Sequence, residues 1–568
     1  MTTAAPPVPE HVRAQIDHDL ESLRTGARAW SLLALGQRAT LLTQLRRAVA
    51  SVASEWADAA AAAKGLTPDH PLRGEEWLAG PYAVLGALDG YLRTLRALAR
   101  GGSPLDGVTI DEAPGGRVRA HVYPASATDR LLLSGFTGEI WLRPGVTAAE
   151  AVRGAGLAQL HPASPAEIGL VLGAGNISAI PVLDVLYELL AFGRVSLLKL
   201  NPTQDPLVPV FAQALAPLIE PGFVRIATGG GDVGAYLTGR GEISHVHITG
   251  SAATFDAIVW GADAERAEPR LRVPITAELG GVSPIIVVPG RWSDADLRYQ
   301  AEHIVTMRLH NSGHNCIAGQ VVLVSRDWPQ REAFLRALHD AYSAAPARPV
   351  WYPRSDDKLA AADADYPAAI RCGDGTRRLV ELTADQDPAA LEQTEYFSPV
   401  LGVVELPGLG QEFLDVAVAH ANDRLAGTLG ANVLIDPETE AALGAGFEAA
   451  IAGLRYGGIA INTWTGVLFA TPVLSWGAFP GSTLADVGSG IGVVHNTSLV
   501  PDVERSILRG PFRPFPRSLS GGGFTVLPKP PWFVSSRTAS AVSEGLTRYL
   551  VDHSPLGLAA TLARAMRA

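Results

Sequence analysis

Two stretches of the chain carry residue types suited to covalent chemistry. Glu278 opens a Glu-Leu-Gly-Gly run, and Cys316 closes the run Asn-Ser-Gly-His-Asn-Cys that begins at Asn311. A thiolate adds readily to a carbonyl carbon, and a carboxylate can take a proton from water, so the pair suits nucleophilic attack followed by hydrolysis. The only other cysteine is Cys372. Two cysteines are too few for a disulfide framework and lack the paired spacing of a zinc site, so each needs its own explanation. A free cysteine is ordinarily a small buried hydrophobe, and Cys372 is read that way.

Taken in order, Glu-Leu-Gly-Gly and then Asn-x-Gly-x-x-Cys-x-Ala, carried by Asn311, Gly313, Cys316 and Ala318, resemble the two motifs of the aldehyde dehydrogenase superfamily. The likeness spans about residues 120–480. It implies oxidation of an aldehyde to a carboxylic acid with NAD or NADP. Cys316 would form a hemithioacetal that releases hydride, and Glu278 would activate the water that hydrolyses the thioester. Asn176, in VLGAGNISAIP, is the side-chain amide that the resemblance assigns to the oxyanion, together with the nucleophile's own backbone N–H. Read without the family, Asn176 could equally be a helix cap.

Cofactor contacts are implied one residue at a time. Gly250 and Ser251, after Thr249, stand where a strand runs into a helix whose N-terminus meets the dinucleotide phosphate. Gly229, with Gly230 and Gly231, matches the preceding glycine turn, and Lys199 is placed at the adenosine ribose. Leu279 and Gly280, with Gly281, lie where backbone would approach the nicotinamide. In EYFSP, Glu395 is assigned to the nicotinamide ribose and Phe397 to packing on the ring. Asn201 and Pro202 occupy the stretch beside Lys199 where the family carries a carboxylate that repels a 2′-phosphate, so NADP is expected to be tolerated.

Two other readings remain. Gly175-Asn176-Ile177 is similar to long-chain acyl reductases, which favours an acyl-CoA reductase of the same fold, whereas Glu278 favours hydrolysis. An inactive structural or assembly subunit is the third, opposed by Cys316, Glu278 and Asn176 together. His314, two positions before the thiol, is read as a loop residue that could influence it. No metal is expected: His245 and His247 alternate on one strand face with no third ligand in register, which suits strand packing.

These residues need a scaffold, and the pattern supplies one. From Ile168 to Gly250 apolar strands alternate with helices, which builds a parallel sheet whose carboxyl edge collects ligands. The expected class is α/β, aldehyde dehydrogenase-like, with two Rossmann-like parallel-sheet domains and a small bridging, oligomerising β-element. Residues 1–127 are assigned to an N-terminal helical part of the nucleotide-binding domain, 128–150 to a bridging hairpin and 151–272 to the nucleotide-binding domain. Residues 273–470 follow as the catalytic domain, 471–500 as the return to the bridge and 501–568 as a C-terminal extension. RLLLSGFTGEIWLRPG, around Gly-Phe-Thr-Gly, is the expected exposed hairpin. The extension contains PPWFV and a Ser554-Pro555-capped helix with enough apolar surface to dock on the body or on a neighbouring subunit.

Composition narrows the partners. At 568 residues and 47% hydrophobic the chain can bury several cores, and a net charge of −11 without a basic stripe argues against nucleic acid. The start of the chain lacks an apolar signal core, and Asp184 and Glu188 interrupt its most apolar stretch, so neither export nor a membrane partner is expected and the cytoplasm is. A small-molecule aldehyde and a homo-oligomer, dimer or tetramer, complete what the resemblance implies.

Overall fold

A computed structural model describes residues 8–163, 166–261, 268–383, 385–521 and 525–567. Its frame is two sheets. The six-stranded one runs in the order Gly490–Ile491, Ile275–Leu279, His245–Gly250, Ile168–Leu172, Val195–Lys199, Val224–Ala227, and all but the first strand are parallel. The strands are short, apolar and β-branched, and helices cover their faces, as a parallel sheet buried on both sides requires. The helices Glu10–Leu32, Leu35–Ser51 and Ala83–Ala99 share one apolar core with these strands.

The helix Ile180–Ala191 is buried along its whole length, Asp184 and Glu188 included. Arg194 pairs with Glu188 at 2.6 Å, and Asp184 accepts from Thr249 Oγ1 at 3.0 Å while His495 Nε2 lies at 3.2 Å. Pairing is what allows two carboxylates inside an otherwise apolar helix. No helix among the described residues is long and apolar enough to cross a membrane.

The second sheet has eleven strands. Six of them, from Val503–Arg509 through Gly458–Ile461, Gly430–Leu434, Ser283–Val287 and Gly319–Ser325 to Val400–Leu406, form a parallel series that Arg377–Leu382 continues. The antiparallel strands Ile110–Ala113, Arg117–Tyr123 and Thr137–Leu142 join at one edge.

Three expectations change here. The segment from Arg130 is no hairpin: Ala127–Leu132 is a helix with Ser126 accepting from the Asp129 N–H, and only Thr137–Leu142 is a strand. Ser126 is a capping residue, and a capped Leu-rich turn outcompetes an apolar strand reading. That strand is also inside, with Trp141 and Leu142 buried, because it pairs on both sides. The return to the antiparallel strands comes through Val503–Arg509 rather than within 471–500, where Gly490–Ile491 instead joins the six-stranded sheet. The extension past the sheets therefore starts after Arg509.

Candidate active site

The Glu278 motif is the joint between the sheets. Ile275–Leu279 ends the six-stranded sheet, Gly280 and Gly281 turn, and Ser283–Val287 begins in the other. A Cβ on Gly280 would stand 2.1 Å from the Glu395 carboxylate oxygens, which explains a residue without one at this crossing. Ser489 Oγ donates to the Gly280 carbonyl at 3.0 Å and fixes the turn from the other side.

Cys316 and Phe397 precede the adjacent parallel strands Gly319–Ser325 and Val400–Leu406, so their loops emerge side by side at the amino ends of the second sheet. They face the carboxyl end of Ile275–Leu279. As a result Cys316 Sγ lies 3.3 Å from Glu278 Oε1, which also accepts from Trp476 Nε1 at 3.0 Å. Glu278 Oε2 is buried and has no hydrogen-bond partner among the described residues. Burial raises the Cys316 thiol well above its ordinary range, and the Glu278 carboxylate pushes the same way. Burial likewise raises Glu278, opposed by the nearby His495 and the Trp476 hydrogen bond. Both groups thus rest protonated more readily than in water, and the short contact offers the thiol proton a direct acceptor.

The nucleophile loop is held in an uncommon shape. Asn311, Ser312 and Gly313 all have positive φ, at 54°, 56° and 76°. Side chains from distant segments enforce it: Glu75 Oε2 accepts from the Asn311 N–H at 2.9 Å, and Trp351 Nε1 donates to Asn311 Oδ1 at 3.1 Å. Glu75 and Glu76 are in turn paired with Arg348, and Glu76 with Lys64 at 2.9 Å, in a buried ion cluster. Such strain persists only when the surroundings over-determine it. Nothing in the helical stretch around residue 75 announces that role; the pattern there reads as packing, and only the fold brings Glu75 to Asn311.

Asn176 follows the strand Ile168–Leu172 and lines the same cavity as Cys316. Its Nδ2 donates to the His314 carbonyl at 2.9 Å, tying the amide to the loop two residues before the nucleophile. Gly175 is accounted for by packing, since a Cβ there would stand 2.7 Å from Asn201 and Thr203 atoms. His314 is buried, its Nδ1 2.7 Å from the Phe397 carbonyl oxygen, and burial holds its pKa down to about 3. It is therefore a neutral brace rather than a charge that tunes the thiol.

The remaining expected residues gather along one edge. Lys199, Gly229, Gly250 with Ser251, and Leu279 with Gly280 all lie at or just past the carboxyl ends of neighbouring parallel strands. Ser251 caps the helix Ala252–Val259 by accepting from the Thr254 N–H at 3.2 Å. Burial lowers Lys199, against the carboxylates of Asp205 and Asp232. The linear stretch after Lys199 shows no adjoining acid, but the fold brings two within electrostatic range. Glu395 reaches this edge from the other sheet, with Oε1 buried and unpartnered among the described residues, and burial raises it to about 7. Phe397, at φ 47°, packs against Tyr352 and His314. A cationic and glycine-lined edge for phosphate and ribose, with the Glu395 carboxylate keeping one oxygen unpartnered among the described residues, suits a nicotinamide dinucleotide in its donor set.

Trp476 and His495, partners across Trp476–Gly477 and Val493–His495, escaped the sequence reading. Asp184 is held down to about 2, burial being outweighed by His247 and His495. His247 is thus a partner of a buried acid, and among the described residues no group of three or more potential ligands is placed to hold a metal.

Residues 168–352 match the Aldehyde dehydrogenase family. Aldehyde dehydrogenase 1 of Tanacetum cinerariifolium is 34% identical over 129 residues, which cover 22% of this chain and 24% of that protein. D-glyceraldehyde dehydrogenase (NADP(+)) of Thermoplasma acidophilum is 29% identical over 170 residues, 29% of this chain and 31% of its own. These likenesses thus span under a third of the curated relatives. The fold is shared much more widely: an NAD-dependent aldehyde dehydrogenase from Sinorhizobium meliloti superposes over 87% of this chain and 86% of its own, with a TM-score of 0.57 at 19% identity. The matched segment, residues 168–352, is thus similar to the Aldehyde dehydrogenase family, and the chain as a whole has the fold of aldehyde dehydrogenases.

Proposed function

We propose that the protein oxidises an aldehyde to a carboxylic acid with NAD or NADP, releasing the product by hydrolysis. The observation that carries this is the 3.3 Å contact between Cys316 Sγ and Glu278 Oε1, with the second oxygen of that carboxylate free. Glu278 takes the thiol proton, and Cys316 attacks the carbonyl carbon. The Cys316 N–H and the free amide hydrogen of Asn176 stabilise the oxyanion. A bound nicotinamide dinucleotide supplies the hydride acceptor. Lys199, Ser251 and Glu395 would hold it, and Gly280 and Phe397 would line the place of its ring. After the proton taken from the thiol has been released to solvent, the Glu278 carboxylate takes a proton from the water that attacks the thioester, and the sulfur leaves as the Cys316 thiolate.

An acyl-CoA reductase would use the same thiol, but Gly175 is explained by packing and Glu278 has no task in thioester exchange. Turnover of wild-type enzyme without coenzyme A, with the free acid as product, tests the choice. Formation of acyl-CoA with an absolute need for coenzyme A would favour the reductase.

Two further outcomes are expected. Both Cys316 and Glu278 are raised and the reaction needs the carboxylate and the thiolate, so kcat/KM increases as pH rises above the ordinary carboxylate range. Trp476→Phe removes a donor that favours the Glu278 carboxylate and moves that rising limb to higher pH. A pH–rate profile checks both, and a profile that does not rise with pH, or a limb that Trp476→Phe leaves in place, would contradict the assignment. For the cofactor, Asp205 and Asp232 oppose a 2′-phosphate, so NAD is favoured over NADP despite the bare stretch after Lys199. Asp232→Asn should narrow the kcat/KM ratio by about fivefold, the equivalent of about 1 kcal/mol of like-charge repulsion. An unchanged ratio would remove Asp232 from cofactor choice.

A further inference from the structure

The cavity that contains Cys316 is not closed by the two sheets alone. Beyond Arg509 the chain runs along the helix Asp294–Leu309. Phe533 stacks on His303 with ring centres 5.0 Å apart, Val534 N–H donates to Thr306 Oγ1 at 3.1 Å, and Lys529 pairs with Glu302 at 2.6 Å. It then crosses to the N-terminal helices. Ser540 lies so close to Gly74 that a Cβ on Gly74 would stand 2.7 Å from its Cα, and Arg46 donates to the Leu550 carbonyl. The helices Ala539–Asp552 and Pro555–Ala565 pack on each other, with Gly545 against Thr561. This segment is therefore anchored on both banks of the cavity.

It contributes Leu527, Pro531, Trp532, Val542, Leu546 and Leu562 to the cavity wall. The cleft holds roughly 1210 Å³ of space, a figure that includes the solvent at its open mouth. Among the described residues, none of the side chains lining it is Asp, Glu, Lys or Arg. His310 also lines it, and burial, its largest influence, lowers that imidazole and favours the uncharged form. A carboxylate or phosphate on the substrate would thus lose water and find no partner, whereas alkyl or aryl surface would be taken out of water at every wall.

We infer that the C-terminal segment is the specificity wall of the active site and that the substrate is an uncharged aldehyde with a long alkyl or aromatic body. This rests on the proposed oxidation at Cys316 and names its substrate class. Burial of each added methylene raises kcat/KM by about fourfold until the cavity is filled. Leu546→Trp fills part of the space and moves the optimum to shorter aldehydes.

The test is a kcat/KM series with the full-length enzyme on ethanal, butanal, hexanal, octanal and benzaldehyde, beside succinic semialdehyde and glyceraldehyde 3-phosphate. Alongside it, alkylation of Cys316 by iodoacetamide is followed by peptide mass with and without octan-1-ol, a readout that needs no turnover. The inference expects octanal to exceed ethanal by at least a hundredfold, both charged aldehydes to be the poorest, and octan-1-ol to protect Cys316 saturably. In Leu546→Trp the octanal-to-butanal ratio falls at least tenfold. Preference for a charged aldehyde, or a flat chain-length series without protection, overturns it. If that variant fails to fold, the wild-type series and the protection assay still decide. Saturable protection with no oxidation of any aldehyde would defeat the oxidation reading and leave the apolar cavity supported.

Discussion

Cys316→Ala is expected to lower aldehyde oxidation by at least about ten-thousandfold while the protein still folds and binds its cofactor. The loss is this large because the sulfur makes the bond from which hydride leaves, and no nearby side chain can replace it: Glu278 can move a proton, but a buried, raised carboxyl is a poor nucleophile. Folding survives because the thiol is half-buried and removing it leaves only a small void. Cys372→Ala is the control. Cys372 is buried in a strand at the far edge of the second sheet, at Ile370–Cys372, so its loss touches packing and leaves kcat near wild type. Cofactor binding by fluorescence titration, together with kcat, separates the two. Retained turnover in Cys316→Ala, or an equal loss in Cys372→Ala, would mean that the nucleophile lies elsewhere.

The contrast between the cysteines shows what could be read from the chain. Motifs whose residues are close in sequence, such as Asn311 to Ala318, were legible because the chemistry constrains neighbours. The alternation from Ile168 to Gly250 was legible because period and turn residues agree. What was hidden depends on long-range register. Glu75 reaches Asn311 across 236 residues, and Trp476 reaches Glu278 across 198, and no local pattern encodes either contact. The strand Val503–Arg509 reads as tail from sequence because its partner, Thr137–Leu142, lies hundreds of residues earlier. The helix Ala127–Leu132 reads as a strand from sequence because three leucines in a row, Leu131 to Leu133, have no period to distinguish the two.

Glu278→Gln is expected to separate the two halves of the reaction. The amide keeps the shape of the side chain and its contact with Trp476 but cannot take a proton from water, so acyl transfer to water stalls. A burst of about one reduced cofactor per active site should appear, followed by a steady rate about 100- to 10,000-fold below wild type, the range that a positioned general base contributes. The burst itself is slower than in wild type, since the 3.3 Å acceptor for the thiol proton is also lost. Raising the pH recovers part of the burst rate by ionising the thiol without help, but does not restore the steady rate.

The accumulated acyl-enzyme gives the most direct test of the account. Glu278→Gln is mixed with aldehyde and NAD in the absence of coenzyme A, quenched in acid after the burst, and its peptides are weighed. The account predicts one acyl group, heavier than the free thiol by the aldehyde's mass less two hydrogens, on the peptide that contains Cys316. An acyl group on any other residue, or a fully active variant with Cys316 unmodified throughout turnover, would contradict it.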